Sequence, residues 1–228
     1  MCGRMAITMA HDAMGRLFDA ALANDLPPVP SHNVCPTQTI SACVPGDRRL
    51  LRPMRWGLIP PWYKTPNGGP LLINARAETV ADKPAFRQAV RERRCLVPAS
   101  GFYEWERREG ETPLPWYVTR ADGSPMVFAA IWQDWGPPDA RVSTCAVVTC
   151  AANAEMARVH DRLPVILEPP DWGLWLGEEG VGAARLMAPA PDGSLRMHRV
   201  GTEVNSSRAL GEGLIRPVEV VAGPINPA

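Results

Sequence analysis

The residue at position 2 is a cysteine, followed by Gly3 and Arg4. A small side chain at this position permits removal of the initiator methionine. Once Met1 is gone, Cys2 carries two nucleophiles on adjacent carbons, a thiol and an α-amine. The amine titrates at about 7.7–8.0 in model peptides, so a useful fraction is neutral near pH 7. Such an aminothiol condenses with an aldehyde: the amine forms an imine and the thiol then closes a thiazolidine ring. An interior cysteine cannot do this. Position alone does not single Cys2 out, because small residues are ordinary after an initiator methionine.

Other segments hold groups suited to the same chemistry. In Asn74-Ala75-Arg76-Ala77-Glu78-Thr79, the Asn74 amide can hold an amine or a substrate, and Arg76 falls on the same face of an extended chain. A guanidinium there suits a phosphate, although an Arg76–Glu78 surface ion pair explains the spacing equally well. Gly101-Phe102-Tyr103-Glu104-Trp105 sets a carboxylate among aromatics, a place for a proton carrier, or for a strand with a solvent-facing glutamate. His160-Asp161-Arg162 adds a candidate acid or base and another arginine; a histidine closing a helix C-terminus is the plainer alternative. Arg55 beside Trp56, with Trp62 six residues on, has the interleaving of cations and rings that holds single strands. Core packing is the competing use for at least one of the two tryptophans. Asn205-Ser206-Ser207-Arg208 reads alone as a polar turn.

The elements that must position these groups are short. Twenty-five prolines and nineteen glycines argue for many turns and brief strands. Strand-like runs fall at 51–59, 71–75, 94–97, 117–119, 126–132 and 142–150. Helices are expected over 10–23, 84–93, 154–159 (with Asn153 as N-cap), 171–176 and, weakly, 180–187. The proline-rich 26–36 must be loop or extended. The tail from 213 should hold a strand at 218–221 and then coil. With no βαβ rhythm, the fold class is α+β, one domain over 1–228 around a strongly bent, barrel-like, mostly antiparallel sheet with short peripheral helices. The stretch 217–228 is expected to be partly irregular.

Composition narrows the function. The chain has 24 basic and 24 acidic residues, so a nucleic acid would have to be held by a local patch. Six cysteines without a C-x-x-C pair, and four histidines, give little support for zinc or any other metal. A disulfide framework also fits poorly, and nothing at the N-terminus reads as an export signal. No apolar run is long enough to span a membrane. The expectation is a cytoplasmic protein, associated with the nucleoid when on DNA, monomeric by default and without a cofactor.

Taken in order, the segments say more. Met1-Cys2-Gly3-Arg4, Asn33-Val34-Cys35-Pro36-Thr37-Gln38, Arg55-Trp56-Gly57-Leu58-Ile59-Pro60, Asn74 to Thr79, Arg94-Cys95-Leu96-Val97-Pro98-Ala99 running into Gly101 to Trp105, and His160 to Pro164 together resemble the SOS response-associated peptidase family. The likeness runs from residue 1 to about residue 208. It implies an abasic-site shield that binds single-stranded DNA and links its N-terminal cysteine to the ring-opened sugar as a thiazolidine. It also implies self-removal of Met1 and leaves room for a lyase step. Carried over, the catalytic set is Cys2, Asn74, Glu104 and His160. The DNA-binding set is Arg4, Asn33, Pro36, Arg55, Trp56, Arg76, Arg162 and Asn205. Cys35 stands where the family pattern favours alanine, and Ser31-His32-Asn33 is less aromatic than that pattern. Two other readings stay open: an N-terminal-nucleophile peptidase or amidase acting on other proteins, and a non-covalent single-strand-binding module.

Overall fold

The computed structural model describes residues 2–218. Over that span the chain forms β1 (Met5–Ile7), α1 (His11–Phe18), β2 (Ala20–Leu22), β3 (Ser31–Val34), β4 (Thr39–Val44), β5 (Arg49–Trp56), β6 (Asn74–Arg76), α2 (Ala89–Glu92), β7 (Arg94–Ala99), β8 (Gly101–Glu106), β9 (Leu114–Arg120), β10 (Met126–Trp135), β11 (Val142–Ala151), β12 (Arg162–Pro164), α3 (Trp172–Leu176) and β13 (Leu195–Arg199). Single 3-10 turns supply the remaining helical backbone.

Five of the strands close on themselves. β11 pairs β10, β10 pairs β7, β7 pairs β4, β4 pairs β5, and β5 returns to β11. Only the closing β5–β11 contact is parallel. Closure removes the exposed edges that an open sheet would leave. These strands bury Ile40, Leu51, Met54, Leu96, Ile131 and Val147 almost completely, and α3 covers one flank with the fully buried Trp175. A second sheet, ordered β13-β9-β8-β1-β3, is antiparallel throughout. The chain crosses from barrel to second sheet between β7 and β8. Gly101 makes that crossing possible: a Cβ there would sit 2.5 Å from the Tyr117 ring and 2.6 Å from the Val118 carbonyl oxygen.

β11 ties the two halves of its neighbourhood together. Its first half pairs β10 on one edge and β5 on the other. Its second half leaves the barrel and is flanked by β12 on one edge and β6 on the other. That split delivers Asn74, Arg76 and Arg162 to one end of the molecule.

The architecture is the expected bent, barrel-like α+β single domain, but several element bounds differ. The helix expected to reach residue 23 stops at Phe18. Asp19 takes a left-handed conformation (φ 48°), its amide bonds back to Gly15 and Arg16 carbonyls, and Ala20–Leu22 pairs parallel to β5 instead. Strand pairing in the interior outweighs the local helical preference there. Residues 84–93 make irregular turns that settle into α-helix only at Ala89–Glu92, and 154–159 is a 3-10 turn over Met156–Arg158. Asn153 still caps that turn, its Oδ1 accepting the Met156 amide at 3.1 Å. The strand expected over 51–59 starts earlier, at Arg49, and ends at Trp56, where Gly57 turns with φ 131°. The run at 180–187 yields a 3-10 turn at Ala183–Leu186. The strand expected at 218–221 lies almost wholly outside the described residues.

Candidate active site

The site is assembled at the join between the second sheet and the outer half of β11. β1 pairs antiparallel with β8, Met5 opposite Phe102. The pairing continues one residue outward, with the Tyr103 amide donating to the Arg4 carbonyl at 2.9 Å. Carried one step further, that register sets Gly3 opposite Glu104 and brings Cys2 into the vicinity of the carboxylate. From the other side, β6 presents Asn74, whose Nδ2 donates to the Cys2 carbonyl at 2.8 Å. The Asn74 Oδ1 is buried and accepts no hydrogen bond among the described residues. Cys2 itself is 1% exposed.

Burial pushes the Cys2 thiol well above the ordinary thiol range, and the nearby Glu104 carboxylate pushes it further. With Met1 attached, this setting favours the protonated sulfur, against the opposing pull of the N-terminal ammonium. Glu104 is 4% exposed, so the solvent-facing alternative is excluded. Its Oε1 lies 3.6 Å from His160 Nε2. His160 Nδ1 lies 3.0 Å from the Arg162 amide and 2.9 Å from a carboxylate oxygen of the exposed Asp161. The two neighbours ask opposite things of that nitrogen. The backbone amide can only donate, which makes Nδ1 the acceptor and puts the ring proton on Nε2, facing Glu104.

A cleft of about 410 Å³ opens onto this pair, lined by Arg4, Glu104, Trp105, Arg107, Pro113, His160 and Asn205. The Arg4 guanidinium lies 5.6 Å from the centre of the Trp105 ring, and Trp105 Nε1 donates to Asn205 Oδ1 at 2.7 Å. A cationic, aromatic-walled cleft ending in a carboxylate–imidazole pair can seat a sugar-phosphate and move protons at its floor.

A family model described as SOS response associated peptidase (SRAP) matches residues 1–207. The chain belongs to the SRAP family. It is 34% identical over 216 residues to the abasic site processing protein YoqW of Bacillus subtilis, covering 91% of this chain and 96% of that protein. It is 31% identical over 227 residues to the abasic site processing protein YedK of Escherichia coli, covering 96% and 100%. The abasic site processing protein HMCES of Xenopus tropicalis is 28% identical over 257 residues, covering 91% of this chain and 76% of that protein. A solved protein from Bacteroides thetaiotaomicron shares the fold, with a TM-score of 0.84 at 20% identity over 96% of this chain and 100% of that chain.

In this SRAP chain the arginines and their neighbours do not all converge. Arg4 and Asn205 reach the cleft, but Arg4 is also tied down: its Nη1 donates to Asn33 Oδ1 (2.6 Å) and the Val204 carbonyl (2.7 Å). Asn33, expected on the DNA, is buried, and its Nδ2 donates to the Ser206 and Ala209 carbonyls at 3.1 and 2.7 Å. Its amide is spent on the protein. Arg162 makes a bidentate pair with Glu78 (2.6 and 2.9 Å) and donates to the Thr149 carbonyl (2.7 Å). That pairing lowers the Glu78 carboxyl and raises the Arg162 guanidinium, and it replaces the Arg76–Glu78 pair considered from sequence. Arg76 is left exposed, outside the ion pairs of the described residues. Pro36 is half-buried in a turn fixed by Gln38 and is not among the residues that line the cleft. Trp56 corrects the sequence reading most sharply: its ring is fully buried and its Nε1 donates to the Ile73 carbonyl, so no base can stack on it. Trp62 is the exposed member of that pair, at 56%. Arg55 lies at the opposite end of β11, opposite Thr144.

Trp105 and Arg107 also line the cleft, beyond the residues that the sequence singles out. Trp105 stood beside Glu104 in the sequence, and its aromatic neighbours were the available signal. Arg107 sits in Glu106-Arg107-Arg108-Glu109, which reads as a solvated turn. Among the described residues no group of His, Cys, Asp or Glu could hold a metal ion, and no helix is long and apolar enough to cross a membrane.

Proposed function

We propose that this protein captures abasic sites in single-stranded DNA by condensing the Cys2 α-amine and thiol with the ring-opened sugar aldehyde. The carrying observation is that the first residue after Met1 is buried near Glu104, which itself lies 3.6 Å from His160, with Asn74 holding its carbonyl. Met1 must leave first, since the amine exists only after the Met1–Cys2 peptide bond is hydrolysed; self-removal is part of the reading.

The raised thiol sets the order of steps. A neutral thiol is a poor nucleophile, so the amine attacks the carbonyl carbon first. Loss of water, with Glu104 and His160 passing protons, gives an imine. The sulfur then adds to the imine carbon while its proton passes to the imine nitrogen. The ring closes as a thiazolidine, with one water released overall and no oxidant needed. Arg4, Trp105, Arg107 and Asn205 bind the sugar-phosphate of the lesion, and Arg76 binds a neighbouring phosphate. Arg162 acts by holding Glu78 and the outer half of β11 in place.

Intact-protein mass spectrometry, alone and after incubation with an abasic oligonucleotide, tests this. The expected result is a chain lacking Met1, then a species heavier by the oligonucleotide minus one water. Cys2→Ala should lose that species while retaining weaker binding to the strand. An adduct of full yield in Cys2→Ala, or a crosslinked protein still carrying Met1, overturns the reading.

A further inference from the structure

A second cleft, of about 370 Å³, takes no part in the capture chemistry. Its lining includes Arg52, Arg55, Arg141 and Ser143, with Asp25 as its one carboxylate. Arg52 lies over the Trp132 ring at 5.2 Å and donates to the Ser143 hydroxyl at 2.6 Å, which in turn donates to Asp134 at 2.6 Å. Arg55 gives one Nη1 to the Gly57 carbonyl at 2.6 Å. None of the three arginines has a carboxylate within ion-pair distance among the described residues. Arg55 is half-buried, and burial works against its charge. A half-buried guanidinium with no counter-ion is a cost that an anion in the cleft would offset.

The position of the cleft says which anion. β5 and β6 lie end to end along one edge of β11, with Arg55 opposite Thr144, Asn74 opposite Val147 and Arg76 opposite Thr149. Arg55 and Arg76 stand five positions apart along β11, about 17 Å at 3.3 Å each, and the odd interval turns their side chains toward opposite faces of the sheet. A strand that reaches both must pass around the β5–β6 edge, a path of at least about five nucleotides at about 3.4 Å each. We infer that the Arg52–Arg55–Arg141 cleft is a second DNA contact, gripping a backbone phosphate of the strand that flanks the captured site. The inference rests on the capture reading above and assigns these arginines to strand length, not to chemistry.

Binding of intact single strands to the Met1-processed protein, followed by fluorescence anisotropy, tests it. One strand of about four nucleotides reaches only the capture cleft; a longer one extends about ten nucleotides on either side. The wild type should bind the longer strand at least tenfold more tightly. In Arg52→Ala/Arg141→Ala that advantage should fall about tenfold. The salt slope should become shallower by about 0.7 for each phosphate that the variant no longer grips. Crosslinking of a short abasic strand should keep its rate. Arg141→Ala alone, an exposed change that leaves the fold intact, should show part of the same loss. Variants that keep the full length advantage and the full salt slope overturn the inference. So does a wild type without a length advantage whose melting temperature rises with inorganic phosphate while the variant's does not; the cleft would then take the free ion. A wild type that neither binds nor crosslinks strands of either length sinks the capture reading itself.

Discussion

Asn74 does its work on Cys2 through one contact, from Nδ2 to the Cys2 carbonyl. In the proposed capture the attacking amine belongs to the same residue, so this bond sets the direction from which that nucleophile would approach. Ground-state binding of DNA does not depend on it. Asn74→Ala should therefore slow single-turnover crosslinking about tenfold, the loss of a bond worth roughly 1.4 kcal/mol in the transition state, while DNA affinity stays the same. A variant that crosslinks at the wild-type rate removes Asn74 from the mechanism. A variant that loses affinity in proportion makes it a DNA ligand instead. The Glu104–Cys2 relation sits at the same scale: the carboxylate given the proton-carrying role in the proposed capture also helps keep the Cys2 sulfur protonated.

Between residue and fold stands the Arg4–Asn33 clamp. Arg4 bonds Asn33 and the Val204 carbonyl, while Asn33 bonds the Ser206 and Ala209 carbonyls. Three elements distant in sequence are thereby stitched together: the approach to β1, the strand β3 and the segment 202–209 that carries Asn205 to the cleft wall. Asn33→Ala strands two partly buried carbonyls and one guanidinium bond, and should cost about 1–3 kcal/mol of stability. Hydrogen exchange should rise across 202–209 before the barrel strands respond. Uniform exchange across the chain would mean that the clamp does not act on this segment. This is also where sequence reading ran out. Asn33 and Arg4 were legible as polar residues near the site, but a buried amide satisfied by carbonyls some 170 residues away has no local signature. Trp56 failed for a similar reason: a tryptophan beside an arginine looks like a stacking platform, and only barrel closure through β5 decides that it faces inward. Cys2, Asn74, Glu104 and His160 stand out in the sequence by residue type in short, distinctive contexts, and the fold brings Asn74 to Cys2 and His160 to Glu104. The barrel itself was legible only as a class, since the β5–β11 contact that closes it is non-local.

At the scale of the whole molecule, the barrel strands carry a set of buried thiols that the proposed capture does not use. Burial raises Cys43 and Cys145 from 9.0 to about 12, and raises Cys95 in the same direction. In the unfolded chain these thiols ionise near pH 9, while in the folded barrel they hold their protons to much higher pH. Above pH 9 the unfolded state therefore binds fewer protons than the native state, and stability must fall as pH rises. The contribution is fully present below pH 9 and is progressively lost toward pH 12. Each thiol that lags in this way steepens the decline by up to about 1.4 kcal/mol per pH unit. Melting temperature measured from about pH 7 to about pH 11 should be flat at first and then fall. Cys43→Ala and Cys145→Ala should each flatten the fall, whatever they cost at neutral pH, because alanine removes the proton difference. Tyr103 and Tyr117 are raised by burial in the same direction and add to the decline at the alkaline end, so the decisive quantity is the slope difference between variant and wild type. Parallel curves for wild type and both variants would place these sulfurs in contact with water, which a closed five-stranded barrel does not allow.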